Sequence, residues 1–239
     1  TYASVGNAVT TVVVEPGEPE INLVTVPGSH NSEMGCAGDW TPACEAAKLT
    51  KRADGIYSGT FDLPAGDYEY KVAINGSWDL SYGANGAVDG PNIAYTAPGG
   101  PVTFYFDPVT HQVQNTAQGP VITAPGSYQS EIGCPEDWQP DCLASWLQDG
   151  DGDGVYEWSS DRIPAGSYEV KAAHGLSWDE NYGVGGEAGG DNYSFTAVDG
   201  ELVTFRYTLA TRELEIVLAD PPVAGSGELR AHWVSAETI

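Results

Sequence analysis

The chain is written twice. Lys71-Val-Ala-Ile-Asn-Gly-Ser-Trp-Asp-Leu-Ser-Tyr-Gly83 returns as Lys171-Ala-Ala-His-Gly-Leu-Ser-Trp-Asp-Glu-Asn-Tyr-Gly183, each copy behind a Pro-Ala-Gly turn and a strand-like Tyr-Glu-(Tyr/Val) run. Upstream, Val24-Thr-Val-Pro-Gly-Ser and Cys36…Asp39-Trp40…Cys44 answer to Ile122-Thr-Ala-Pro-Gly-Ser and Cys134…Asp137-Trp138…Cys142. The offset between copies drifts only from 98 to 101 residues, the mark of tandem duplication. A fold of about 100 residues, made twice, is therefore what the 239-residue chain must accommodate. Within each copy, short β-prone runs alternate with turn signals and no long 3.6-residue period is present. We therefore expect an all-β chain of two immunoglobulin-like β-sandwich modules. The expected boundaries are 22–118 and 119–220. Residues 1–21 form a β-rich run (Ala8–Val14) and a Glu-Pro-Gly linker. Residues 221–239 form a second linker and the start of a following domain.

Charge narrows the choice of partners. A formal net charge of −25 with only nine lysines and arginines leaves no basic stripe for nucleic acid or anionic membrane. No run approaches the roughly 20 apolar residues of a membrane span, and no signal peptide is read, so the chain is expected to be an excised piece of a longer protein. A monomer is expected. The four cysteines fall in two pairs at one spacing. Zinc favours Cys-x-x-Cys and four convergent ligands, so Cys36–Cys44 and Cys134–Cys142 are expected as local disulfides. Each would contribute about 2.5 kcal/mol by loop closure. Disulfides place the protein in an oxidising, secreted setting.

The aromatic residues carry the functional reading. Trp40, Trp78, Trp138 and Trp178 stand in loops among Gly, Ser, Asn and Asp, where an indole offers a sugar ring a flat apolar face and an N–H donor. Trp40 and Trp138 have the alternative of packing on their disulfides. Tyr82 and Tyr182 either join the platform or plug the loop base, and Tyr68, Tyr70 and Tyr168 are read as core or face residues of strands. Lys71 and Lys171 can donate to hydroxyls, and Asn92 and Asn192 offer both donor and acceptor to a vicinal diol. Asp79, Asp179, Glu33 and Glu131 are ligand contacts or turn formers.

Catalysis finds little support. The histidines do not repeat: His30 is set against Tyr128, His111 against Arg212, His174 against Asn75, and His232 lies in the tail. No nucleophile elbow, phosphate loop or His-x-x-x-His is present. Asp149-Gly-Asp151-Gly-Asp153-Gly154 resembles the start of a calcium loop, but Ser160 stands where the bidentate acid belongs. A tight turn is the favoured reading, with no cofactor.

At these residues a family resemblance emerges. Both repeats resemble the tandem starch-binding β-sandwich modules attached to bacterial pullulanases and amylases, and are similar to the glycogen-binding domain of the AMP-activated protein kinase β subunit. The resemblance implies α-glucan contacts from Trp40, Lys71, Trp78 and Asn92 in the first module and from Trp138, Lys171, Trp178 and Asn192 in the second. Starch, maltooligosaccharides and cyclodextrins are the implied ligands. Two departures stand out: the cysteine loop is absent from the kinase domain, and His174-Gly-Leu replaces Asn75-Gly-Ser. The tail from Arg230 is similar to the start of the domain that leads into a pullulanase catalytic region. A non-catalytic segment of a secreted starch-degrading enzyme is the expectation, and a structural spacer is its rival.

Overall fold

The computed structural model describes residues 20–219 and the backbone of residues 231–232. The Ala8–Val14 run and most of the tail lie outside the described residues. The first module contains β1 (Val24–Thr25), β2 (Lys48–Lys51), β3 (Tyr57–Leu63), β4 (Gly66–Tyr70), β5 (Val72–Ile74), β6 (Ser81–Tyr82), β7 (Ile93–Ala97), β8 (Gly100–Phe106) and β9 (Val113–Asn115). They form a sheet in the order β6-β5-β1-β2-β3-β8-β9 and a separate β4-β7 ribbon. The second module repeats the plan with β10 (Ile122–Thr123), β11 (Trp146–Leu147), β12 (Val155–Ser160), β13 (Gly166–Val170), β14 (Ala172–His174), β15 (Glu180–Tyr182), β16 (Tyr193–Ala197), β17 (Leu202–Thr208) and β18 (Glu213–Ala219). Here β11-β10-β14-β15 and β12-β17-β18 are separate sheets, β13 pairs with β16, and β19 (Ala231–His232) extends the edge of β18. An α-helical turn, α1 (Gln129–Ile132), precedes the second cysteine loop. The chain is thus two immunoglobulin-like β-sandwiches in tandem.

Alternation explains the layers. Ile93, Tyr95 and Ala97 of β7 point inward while Ala94 and Thr96 face out, and Val203, Phe205 and Tyr207 repeat the pattern in β17. Each module has its own core. In the first, Tyr70 meets Phe104 edge-on at 5.0 Å, and in the second Tyr128 meets Phe205 at 5.3 Å.

One core position shows how the copies diverged without losing a hydrogen bond. Buried His30 has Nε2 3.0 Å from the Val26 carbonyl and Nδ1 2.8 Å from the Tyr95 hydroxyl. A neutral ring donating from Nε2 and accepting at Nδ1 satisfies both. In the second module Tyr128 takes the position, and its hydroxyl donates to the equivalent carbonyl, Ala124. Phe195 accordingly replaces Tyr95, since no ring nitrogen remains for a hydroxyl to reach.

The structure corrects the expected partner of His174. β5 ends at Ile74 and β14 at His174, so His174 is set against Ile74, and Asn75-Gly76 corresponds to Gly175-Leu176. His174 is buried, with Nε2 2.9 Å from the Tyr207 hydroxyl and Nδ1 2.9 Å from Glu180.

Burial lowers the pKa of His30, opposed by its bond to the Val26 carbonyl and by Glu33 and Asp39. The unfolded chain therefore takes up the proton at a higher pH than the folded one. The stability that neutral His30 contributes is complete above about 6.5, the ordinary histidine value, and is lost as pH falls through the lower folded-state value. His174, also lowered by burial, acts in the same direction in the second module. The melting temperature is expected to fall between pH 7 and pH 5, and to fall less in a variant carrying the second module's pair, His30→Tyr with Tyr95→Phe. Equal losses in calorimetry would remove His30 from this account.

Candidate functional site

The site is built where β4 ends. Residues 27–29 lie alongside Glu69–Lys71: Ser29 N–H donates to the Glu69 carbonyl at 2.9 Å, and Lys71 N–H to the Pro27 carbonyl at 3.0 Å. The approach leaves no room for a side chain on the middle residue. A Cβ on Gly28 would stand 2.4 Å from the Glu69 carbonyl oxygen, and one on Gly126 2.3 Å from that of Glu169. The Gly28 carbonyl then receives the Trp40 N–H at 2.9 Å, and Gly126 receives Trp138 at 3.1 Å. The first tryptophan of each module is thus hung directly on the strand end that carries the lysine.

Buried amides lock the cysteine loops in place. Asn31 Oδ1 accepts the N–H groups of Gly28 (3.2 Å) and Thr41 (3.1 Å), while its Nδ2 donates to the Val26 carbonyl (3.1 Å). Gln129 accepts the equivalent pair in the second module, from Gly126 (3.4 Å) and Gln139 (2.7 Å), while its Nε2 donates to the Gln139 carbonyl (2.9 Å) and the Ser145 hydroxyl (3.0 Å). Thr25 and Thr123 hydroxyls tie the loops to β1 and β10 through the Pro42 and Pro140 carbonyls, at 2.7 Å in each module. The disulfides Cys36–Cys44 and Cys134–Cys142 close the loops. Held in this way, Trp40 and Trp138 adopt left-handed backbone, with φ of 55° and 60°. Such a conformation in a bulky residue costs about 1 kcal/mol or more and persists only where the surroundings impose it.

The second tryptophan of each module comes from the β5–β6 or β14–β15 turn. There Ser77 Oγ accepts the Asp79 N–H at 3.0 Å, and Ser177 that of Asp179 at 3.1 Å. Trp78 and Trp178 remain 42% and 40% exposed, unusual for the largest apolar side chain. Trp40 and Trp78 have ring centroids 6.5 Å apart with planes inclined by 40°, and Trp138 and Trp178 lie 6.3 Å apart at the same 40°. Both copies keep one geometry.

Strand register places the polar residues. The β4–β7 ladder ends at Tyr70↔Ile93, so one further step sets Lys71 opposite Asn92, and Val170↔Tyr193 does the same for Lys171 and Asn192. Alternation puts both on the outward face with Glu69 or Glu169. Asn92 Nδ2 donates to Glu69 Oε2 at 3.1 Å, and Asn192 to Glu169 at 2.9 Å, which aims each amide and leaves its oxygen available. Neither Lys71 nor Lys171 forms an ion pair among the described residues. In the first module an open furrow of about 590 Å³ continues from Glu69 along β4–β7, lined by Ser29, Asp67, Tyr68, Ala94 and Thr96.

Other expected contacts are placed elsewhere. Tyr82 is buried against Phe106 and stacked on His111 at 4.2 Å, so its ring is not available to a ligand. Its assignment as a ligand residue is corrected by that packing. Tyr182 lies against His174, donates to Glu180 at 2.8 Å and is covered by the Arg212 guanidinium at 5.1 Å. Both tyrosines close the base of the loop. Asp79 and Asp179 are exposed on the turn beside the second tryptophan. The carboxylate oxygens of Asp149, Asp151 and Asp153 lie within 4.8 Å of one another and cap their own turn, with Gly152 and Val155 N–H groups each 2.8 Å from an aspartate oxygen. Glu69, Glu169, Asn31 and Gln129 have structural parts that the sequence reading did not assign. The signal was present in the repeated Tyr-Glu and in an amide at one position of both copies.

A family model described as the pullulanase X25 domain matches residues 23–113 and again 121–214. The chain belongs to this X25 family. An amylopullulanase of Thermoanaerobacter thermohydrosulfuricus is 31% identical over 212 residues, covering 85% of this chain and 14% of that protein. An amylopullulanase of Thermoanaerobacterium thermosulfurigenes is 30% identical over 200 residues, and the chain spans 10% of its length. An α-amylase of Niallia circulans is 36% identical over 96 residues. Among solved structures, pullulanase from Bacillus acidopullulyticus aligns at a TM-score of 0.37 and 17% identity, over 87% of this chain and 28% of that one. The tandem of X25 modules is therefore a small part of far longer relatives.

The buried amide offers a direct test of the site's construction. In Asn31→Leu, the N–H groups of Gly28 and Thr41 lose their acceptor, each at a cost of about 1–3 kcal/mol. The melting temperature of the first module is expected to fall, and the Trp40 and Trp78 indole resonances to shift while those of Trp138 and Trp178 hold. Unmoved Trp40 and Trp78 resonances would show that the amide does not position the platform.

Proposed function

We propose that each X25 module binds starch-type α-1,4-glucan at its tryptophan pair and performs no catalysis. The observation that carries this reading is an exposed Trp78 or Trp178 beside a partly buried Trp40 or Trp138, the rings inclined at 40° in both modules. Coplanar rings suit a flat, ribbon-like glycan. Two faces inclined to one another suit successive sugars of a chain that curves, as α-1,4-linked glucose does. Lys71 and Asn92, or Lys171 and Asn192, stand one register step beyond the ladder to donate to and accept from hydroxyls at the edge of the platform. The names of the relatives, amylopullulanase and α-amylase, agree with such a ligand.

Shallow stacked sites of this kind bind weakly one at a time. With each Kd near ~100 μM, tethering at an effective concentration of about a millimolar adds roughly tenfold. Maltooligosaccharides and cyclodextrins are the soluble ligands, and a catalytic domain elsewhere in the parent chain is the beneficiary of the retained substrate. This reading assigns no metal to the Asp149–Asp153 turn, whose carboxylates accept N–H groups of the turn itself. Two disulfides and a starch-type ligand support a secreted parent protein.

The test is retention on insoluble starch beside cellulose, with β-cyclodextrin as competitor. The chain is expected to be held by starch alone and released by the cyclodextrin. Trp78→Ala combined with Trp178→Ala is expected to stay folded and pass through both. Undiminished retention of that variant would remove the tryptophans from the site, and passage of the unaltered chain would favour a spacer between neighbours.

A further inference from the structure

The two modules differ in character where they touch. Each cysteine loop is followed by a short turn into a strand. The first module has Glu45 and Lys48 there, solvated and paired at 3.6 Å. At the same positions the second has Leu143 and Trp146, both buried. The difference is explained by a third apolar cluster, in which Ile56 and Tyr105 of the first module pack on Val121, Leu143 and Trp146 of the second. Tyr105 meets Trp146 edge-on with centroids 6.2 Å apart.

Polar contacts from the first module reach into the second module's cysteine loop. Arg52 Nη2 donates to the Asp141 carbonyl at 2.7 Å, and Asp54 Oδ2 accepts the Leu143 N–H at 3.0 Å. Asp141 and Leu143 flank Cys142, which closes the loop bearing Trp138. Arg52 and Asp54 are themselves paired at 3.0 Å, with Asp54 nearly buried. The other tryptophan loop is held as well. Leu176, two residues before Trp178, packs against the same cluster. It does so with φ of 59°, a left-handed backbone that the first module assigns to Gly76. A leucine there is strained, and its burial at the interface explains why it is tolerated.

We propose that the first module positions the second module's tryptophan pair, by gripping the loops of Trp138 and Trp178 from outside, whereas Trp40 and Trp78 are held by their own module. Arg52, Asp54, Leu143, Trp146 and Leu176 are positioning residues for the second site. The asymmetry runs one way, because the matching positions of the first module, Glu45, Lys48 and Gly76, are polar or bare. Its reading through ligand affinity rests on the α-glucan function proposed above.

The first module itself supplies a fold-compatible test. Leu143→Glu, Trp146→Lys and Leu176→Gly write first-module residues into the second module, in positions where the same fold already carries them. In a Trp78→Ala background, which leaves only the second site, this triple variant is expected to bind β-cyclodextrin about tenfold more weakly, the equivalent of losing one or two hydrogen bonds that order the loops. In a Trp178→Ala background the first site is expected to be unaffected. Equal affinity of the second site with and without the triple substitution would overturn the proposal. Failure of the Trp78→Ala chain itself to bind would instead count against the glucan reading. In that event the exciton circular-dichroism couplet of Trp138 with Trp178 decides, measured with Trp40 and Trp78 replaced by Phe. Its collapse in the triple variant supports positioning by the first module, and its persistence contradicts it.

Discussion

The site depends on one close backbone approach, that of Gly28 to Glu69 and of Gly126 to Glu169. It lays residues 27–29 on the end of β4, delivers a carbonyl to the tryptophan N–H, and fixes the face on which the lysine and asparagine stand. The hydrogen bonds are each worth about 1 kcal/mol net, comparable to the strain of one left-handed tryptophan. The disulfide adds about 2.5 kcal/mol of loop closure, enough to keep a strained, exposed loop from relaxing. The platform is therefore preorganised, which lessens the ordering that a flexible oligosaccharide demands on binding.

Duplication preserved this construction while other positions changed in matched sets. His30 with Tyr95 in one copy answers to Tyr128 with Phe195 in the other, and the carbonyl of Val26 or Ala124 has its donor in both. Glu45 with Lys48 in one copy answers to Leu143 with Trp146 in the other, where the modules meet. The first set maintains a core, and the second creates a contact between cores. Two sites on modules joined in this way have a set spacing and orientation, unlike two beads on a flexible linker.

Much of this was legible in the sequence, for identifiable reasons. The repeat announced the module count. Equal cysteine spacing announced the loops, and tryptophans among glycines and aspartates stood out against the strand pattern. Asn92 and Asn192 were singled out by type, but their aim by Glu69 and Glu169 needed the β4–β7 register. Tyr82 looked like a loop residue because glycines surround it, yet it packs on Phe106 and His111, which are distant in sequence. His174 was misaligned because Asn-Gly and Gly-Leu turns differ by one residue in where glycine stands. The strand ends of β5 and β14 resolve it. The module interface was hidden for a different reason: Leu143 and Trp146 read as ordinary apolar residues until they are compared with Glu45 and Lys48.

The claim that each module carries one preorganised α-glucan site is tested most directly by calorimetric titration of the intact tandem with β-cyclodextrin. Two molecules bound per chain, falling to one when either Trp78 or Trp178 is replaced by alanine, is the predicted result. Absence of any binding heat at millimolar ligand, with the chain shown to be folded, would contradict it.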